Sequence, residues 1–487
     1  MKTLLLLLFM LICHTAWAQD TLVTEYGELP MREGSYDIHQ PHTVPALSGA
    51  YRVRRKAPVA AQASPRHIDL ISNMPAYLKD FYVQYGKDVA GALQGKKTCL
   101  VEPIQDSCLI SRASCYGYTL KTYEGEVSFT FANSDEIKTK ALAAVTPVVD
   151  KQWDEYISFV PYICNCISLD YPEAFWLGSS YNYFNLTNYK ISYDPRGNTG
   201  KVKYEHTLHF TLKRSIYDIR RDAFPTEADV TDGIARYQTA IDSILFECPI
   251  DSDRYEQLRY LNDWLTTHNC YSSILSGYRP DFCYSPLSAL EGSVGINGPV
   301  CEGYARALKV LGDKLGIPGM LLAGMAQSAP EDDGEDHMWN YVQLENGEWY
   351  AIDVTWNDPV VDGATHEALS GHETRNWFLL GSESLVGPDF TFIQSHPVTP
   401  GCGHVPQGTL TWNLSSPPQL AAEGVEPREE PGPEPQPEPK FGDIDGDGHI
   451  TVSDITMLIA IYLDDLEGVI TVSDITAVIN AYLDDGE

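Results

Sequence analysis

Residues 300–356 read as a helix followed by a β-hairpin, and this pairing constrains the fold more than any other feature of the chain. Tyr304, Leu308, Leu311 and Leu315 recur at i, i+4, i+7 and i+11, the period of one buried helical face. Gly316 and Pro318 stop that helix. In HMWNYVQL, Met338, Asn340, Val342 and Leu344 alternate with Trp339, Tyr341 and Gln343. Asn346-Gly347 is a tight-turn signal, after which EWYAIDVTW returns as the second strand. A helix packed beside such a hairpin predicts an α+β core.

Three side chains in these elements carry chemistry. Cys301 follows Gly292, Gly295, Gly298 and Pro299 and stands at the start of the helix. A thiol there has its pKa lowered by the helix dipole and by a neighbouring imidazolium, and the thiolate is the nucleophile. Unpaired backbone N–H groups at the same helix start can hold a developing oxyanion. His337 opens the first strand, and Asp353 is expected on the second, so antiparallel pairing brings them together. His337 would then deprotonate Cys301 and later protonate a leaving amine, while Asp353 orients the imidazole and stabilises its charged form. Taken singly, a cysteine is more often a small buried apolar residue, and a strand histidine more often structural. Together in these flanks they predict an enzyme.

The flanks resemble the transglutaminase-like superfamily. Its nucleophile segment is matched by Val300-Cys301-Glu302-Gly303-Tyr304-Ala305, its histidine segment by His337-Met338-Trp339-Asn340, and its aspartate segment by Asp353-Val354-Thr355-Trp356-Asn357-Asp358-Pro359. Tyr260–Ser273 resembles the helix that precedes the nucleophile in bacterial members, and Arg375–Ser382 the strand that closes their core. Met338 stands where Ala is usual, and Asn357 where Asp is usual. The resemblance spans about residues 251–400. It implies a papain-like catalytic core and acyl transfer from an amide through a thioester, with no cofactor for catalysis and a protein or peptide as substrate. It leaves open whether water or an amine takes the acyl group. Water is the expected acceptor, because nothing in the sequence marks a lysine-binding site. The alternatives are a crosslinking glutamine–amine transferase and a catalytically silent binding module in a cohesin–dockerin-type assembly.

Residues 1–18 read as a secretory signal: Lys2, an apolar Leu4–Ile12 stretch too short to span a membrane, and Ala16-Trp17-Ala18 as the cleavage site. The product is expected to be secreted, periplasmic or extracellular, with no membrane span. The formal charge of −33 argues against nucleic acid as a partner. From Glu423 to Glu487, 17 acidic side chains meet only Arg428 and Lys440, a net −15, so much of that charge lies in the tail. Of eleven cysteines, Cys13 leaves with the signal; Cys301 reserved, nine remain, an odd number. Cys270 and Cys283 flank a short loop ahead of the site and are expected to pair.

Residues 19–63 lack periodicity and read as an extended leader. Residues 64–250 read as an accessory α+β domain, with helices expected over Ala141–Cys164 and Asp232–Phe246 and a strand over Lys201–Lys213. The catalytic domain is assigned to residues 251–415. A Pro/Glu-rich linker is assigned to 416–440, where GVEPREEPGPEPQPEPK is a stiff spacer on the order of 50 Å if extended. Beyond it ITVSDIT occurs twice, at Ile450–Thr456 and Ile470–Thr476. Before the first copy, Asp443, Asp445, Asp447, His449 (through its carbonyl), Thr451 and Asp454 occupy positions 1, 3, 5, 7, 9 and 12 of a calcium loop, with Gly448 at the turn. Each copy is followed by an amphipathic segment. A calcium loop plus one helix, given twice behind a Pro-rich linker, resembles a dockerin. The resemblance implies a small all-α domain over 441–487, Ca²⁺ as ligand, and a cohesin-like partner met through Val452-Ser453 and Val472-Ser473. In the second copy Leu463 takes position 1, so one calcium site is expected.

Overall fold

Two strands, β1 (Val23–Glu28) and β2 (Glu33–Asp37), lie within the stretch expected to be an extended leader. Their side-chain pattern is weak. They exist because both pair antiparallel with β4 (Ser180–Tyr193), which supplies their backbone hydrogen bonds. In this computed structural model the described residues are 23–37, 64–71, 73–96, 117–177, 180–194, 197–212, 224, 227–272, 281–358, 374–398, 417–428, 476 and 479. The chain divides into two compact units, residues 1–425 and 426–487. Of the second, only 426–428, Thr476 and Ile479 are described, so the calcium loop and the dockerin-like repeat lie outside the described residues, as does the signal peptide.

Within the first unit, α1 (Ala76–Leu93) precedes β3 (Tyr118–Thr130), and α2 runs over Ile137–Asp170. Strands β1, β4, β5 (Thr199–Thr211) and β3 lie in that order in one antiparallel sheet, with β2 also on β4. The expected strand at Lys201–Lys213 corresponds to β5, where Val202, His206, Leu208 and Phe210 face inward. The expected helix at Ala141–Cys164 is longer at both ends. It runs through Pro147 and Pro161, each of which costs a helix interior roughly 3 kcal/mol. Val145, Val149, Trp153, Tyr156, Val160, Ile163 and Ile167 form one buried stripe along it. At about 1.5–3 kcal/mol for each large apolar side chain, that stripe outweighs the two breaks.

Helices α3 (Glu227–Phe246), α4 (Arg254–His268), α5 (Pro286–Leu290) and α6 (Cys301–Lys314) follow. A three-stranded antiparallel sheet of β6 (Gly319–Ala326), β7 (Glu335–Gln343) and β8 (Trp349–Ile352) comes next, with β7 in the middle. The hairpin joins at Gln343 and Trp349, and Gly347 sits at φ +77°, a conformation that favours glycine. Helix α6 packs on one face of this sheet: Met338 and Val342 share a core with Tyr304, Leu308 and Leu311, and Asn340 Nδ2 donates to Ala305 O at 2.9 Å. Trp339 and Tyr341 face the other side, where Phe392 and Leu420 cover them. One apolar cluster runs from Ile68 to Leu379, so α1 and α2 share a core with α6. Of the stretch assigned to the linker, residues 417–425 lie against this core, with Ala421 N donating to Trp349 O and Val425 N to Leu379 O. The described residues are α+β, and no described helix is long and apolar enough to cross a membrane.

Candidate active site

Cys301 is the first residue of α6, with extended Val300 as its N-cap. The helix starts there because Val300 N donates to Cys283 O (3.0 Å) and Tyr304 N closes the first turn on Val300 O (3.1 Å). Gly303 lets that turn approach: a Cβ there would come within 2.5 Å of Cys283 O. The helix is held from below by a buried ion pair of Arg306 with Glu302 (2.8 Å), and Arg306 also reaches Ser168 O (2.9 Å) and Oγ (2.7 Å) at the end of α2. Tyr304 donates to Asp358, which ties the nucleophile segment to the aspartate segment. The Cys301 side chain is half-buried, and its interaction with the His337 imidazole favours the protonated ring.

His337 lies near the start of β7, opposite Gly324 of β6, and is buried. Its Nε2 meets Asp353 Oδ2 at 2.8 Å, which leaves Nδ1 for the thiol. Burial alone would push the imidazole pKa down. The Asp353 charge and hydrogen bond, and the Cys301 side chain, outweigh burial and hold it well above the ordinary value.

Asp353 is not on the returning strand, as expected, but one residue beyond it. Strand β8 stops at Ile352, and Asp353 is the N-cap of α7 (Val354–Asn357), its Oδ1 accepting from Trp356 N at 3.2 Å. An aspartate there completes the helix's first N–H groups, which ladder pairing could not do. The side chain is fully buried. Burial would raise its pKa, but the charge on His337 and hydrogen bonds from His337 and His396 hold it well below the carboxylate range. Asn357, where the superfamily usually carries Asp, is a buried junction. Its amide donates to Asn262 Oδ1 (2.9 Å) and its oxygen accepts from Trp377 N (2.9 Å). A carboxylate could not make that donation.

His396 is a neighbour that sequence reasoning missed. It follows α8 (Phe392–Ser395), and its Nε2 meets the same Asp353 Oδ2 at 3.1 Å. The local signal in the sequence is Thr391-x-x-Gln394, which forms a capping box, followed by His396-Pro397. Neither element of that signal points to Asp353. His337, Asp353 and His396 offer three ligand-type atoms within 4.8 Å of one another, a set that suits a divalent metal. Both nitrogens also stand at hydrogen-bond distance from one carboxylate oxygen, and two imidazole N–H groups account for the arrangement.

Cys270 and Cys283, expected to pair, are both buried thiols, and Cys283 donates to Ser272 Oγ at 3.9 Å. Residues 170–176, at and just beyond the end of α2, pack into the core: Trp176 is buried and Asp170 binds His67 (2.7 Å).

No curated protein matches the chain. The family model of the transglutaminase-like superfamily matches residues 248–354, so this stretch, which holds Cys301, His337 and Asp353, is similar to that superfamily.

Proposed function

We propose that the chain is a secreted cysteine-dependent amide hydrolase, a peptidase, that works through a thioester on Cys301 and is tethered by a calcium-binding dockerin-like module over residues 441–487. The observation that carries the catalytic reading is that one imidazole, His337, meets buried Asp353 at 2.8 Å and also interacts with the Cys301 thiol at the start of α6. The raised His337 and lowered Asp353 pKa values favour a protonated imidazole with an ionised carboxylate behind it. The Cys301 sulfur attacks the amide carbonyl carbon, and the carbonyl electrons move onto oxygen beside the N–H groups at the start of α6. As the carbonyl re-forms, the C–N bond breaks and His337 Nδ1 gives its proton to the departing amine. Neutral His337 then takes a proton from water, whose oxygen attacks the thioester, and the acid leaves as the thiolate and imidazolium return. Asp353 stays ionised throughout and holds the ring.

The tether rests on Asp443, Asp445, Asp447, His449, Thr451 and Asp454 at calcium-loop spacing, with a cohesin-like module as partner.

The test is to incubate a denatured protein substrate with the mature chain and a labelled primary amine, beside Cys301→Ala, and to read the products by mass spectrometry. New fragments absent from the variant reaction are the expected result. Amine adducts on intact substrate would replace hydrolysis with crosslinking. Activity surviving Cys301→Ala would remove the assignment altogether.

A further inference from the structure

We propose that His396 is a positioning residue of this site: its Nε2–H donates to Asp353 Oδ2 and, as a neutral second donor, fixes the carboxylate that in turn holds His337. The inference rests on the reading of Cys301, His337 and Asp353 given above.

Four observations carry it. Asp353 Oδ2 accepts at 2.8 Å from His337 Nε2 and at 3.1 Å from His396 Nε2, while Oδ1 accepts from Trp356 N at 3.2 Å. The plane of the carboxylate is therefore set by three donors on three different elements. Second, the His396 ring is itself held. It stacks on Phe392 (centroids 4.6 Å, planes 13° apart) and meets Trp339, Trp356 and Trp377 at 5.0, 4.6 and 5.3 Å. The preceding residue is anchored as well: Ser395 Oγ donates to Gln327 O at 2.6 Å. Third, the segment behind it is hydrogen-bonded to β6. Met325 N donates to Pro397 O, and Gly324, which faces His337 in the β6–β7 register, also bridges to Val398. His337 and His396 are thus referenced to one strand from its two sides.

Fourth, the two rings differ in charge. Titratable Asp353 and His337 face His396, and burial together with the His337 charge pushes the His396 pKa down despite its bond to the carboxylate. A neutral donor fixes Asp353 without competing for its charge. A lysine or arginine here would neutralise the carboxylate and remove the support for the His337 imidazolium. The ring is buried, where an N–H without a partner is costly, and the bond to Asp353 satisfies it.

The test is the pH dependence of Cys301 alkylation by iodoacetamide, followed on the Cys301 peptide in the full chain, which reads the thiolate without a substrate. His396→Phe keeps the stack and removes the donor. His396→Asn keeps a polar amide at the Nδ1 position and cannot reach Asp353. His396→Gln restores an N–H near the Nε2 position. With native melting temperatures, Phe and Asn should slow alkylation on the acid side of the thiol pKa by about tenfold and lower kcat with KM unchanged, while Gln should return both toward the parent. A parent-like profile in His396→Asn, or Gln as impaired as Phe, would overturn the proposal. Failure of the nucleophile reading looks different: turnover would then survive Cys301→Ala.

Discussion

Asp353 accepts from a strand-borne imidazole, from an imidazole after a short helix, and from the N–H that starts α7. Its pKa is lowered and that of His337 is raised, so their pH effects have opposite signs. Asp353 contributes stability that is fully present above its ordinary value of about 3.9 and is lost as pH falls through its depressed folded value. His337 contributes stability that is fully present below about 6.5 and is lost as pH rises through its raised folded value. Both are in force between about pH 4 and 6.5. In that window Asp353→Asn should lose the most relative to the parent, by a few kcal/mol, since it leaves a buried imidazole without its counter-charge. Urea midpoints across pH measure this; a constant difference at all pH values would contradict it. Cys301, His337 and Asp353 were legible because each stands in a segment whose neighbours have their own tasks. Tyr304 reaches Asp358, Asn340 reaches Ala305, and Asn357 joins α4 to the Trp377 segment. His396 was not legible, because its partner lies 43 residues away and only tertiary packing joins them.

Helix α6 and the β7–β8 hairpin were the most legible elements, since period and turn chemistry agree with the core each one meets. The long helix α2 was legible in its middle, where the expected span already crossed Pro147 and Pro161, but not at its ends, where burial of Ile137, Ile167 and Leu169 extends it over 137–140 and 165–170. Strands β1 and β2 were missed for the complementary reason: β4 calls them into being, and their own sequence does not. Asp353 moved from strand to cap because side-chain capping, not alternation, decides where β8 ends. The same logic makes the seat of α6 testable. Gly303→Ala would drive a methyl against Cys283 O, a backbone atom that cannot swing aside. Overpacking of this kind costs about 1–3 kcal/mol. The melting temperature should fall, and Cys301 alkylation at acid pH should fall with it. An unchanged melting temperature would mean that α6 can shift without penalty.

At the scale of the whole molecule, one compact unit ends at Val425, and in the sequence a Pro/Glu-rich run stands between it and the repeat proposed to bind calcium. On the proposed reading the two act independently. EDTA should therefore make residues 441–487 susceptible to limited proteolysis while leaving the rate of Cys301 alkylation unchanged. Loss of both together would contradict that independence. The central claim is that Cys301 accepts an acyl group with His337 as its base. Its most direct test is to quench the peptide-hydrolysis reaction in acid and weigh the Cys301 peptide. The account predicts a substrate-derived acyl mass on Cys301, released by hydroxylamine, absent in Cys301→Ala and reduced in His337→Ala. An active chain that never carries acyl mass on Cys301 would contradict it.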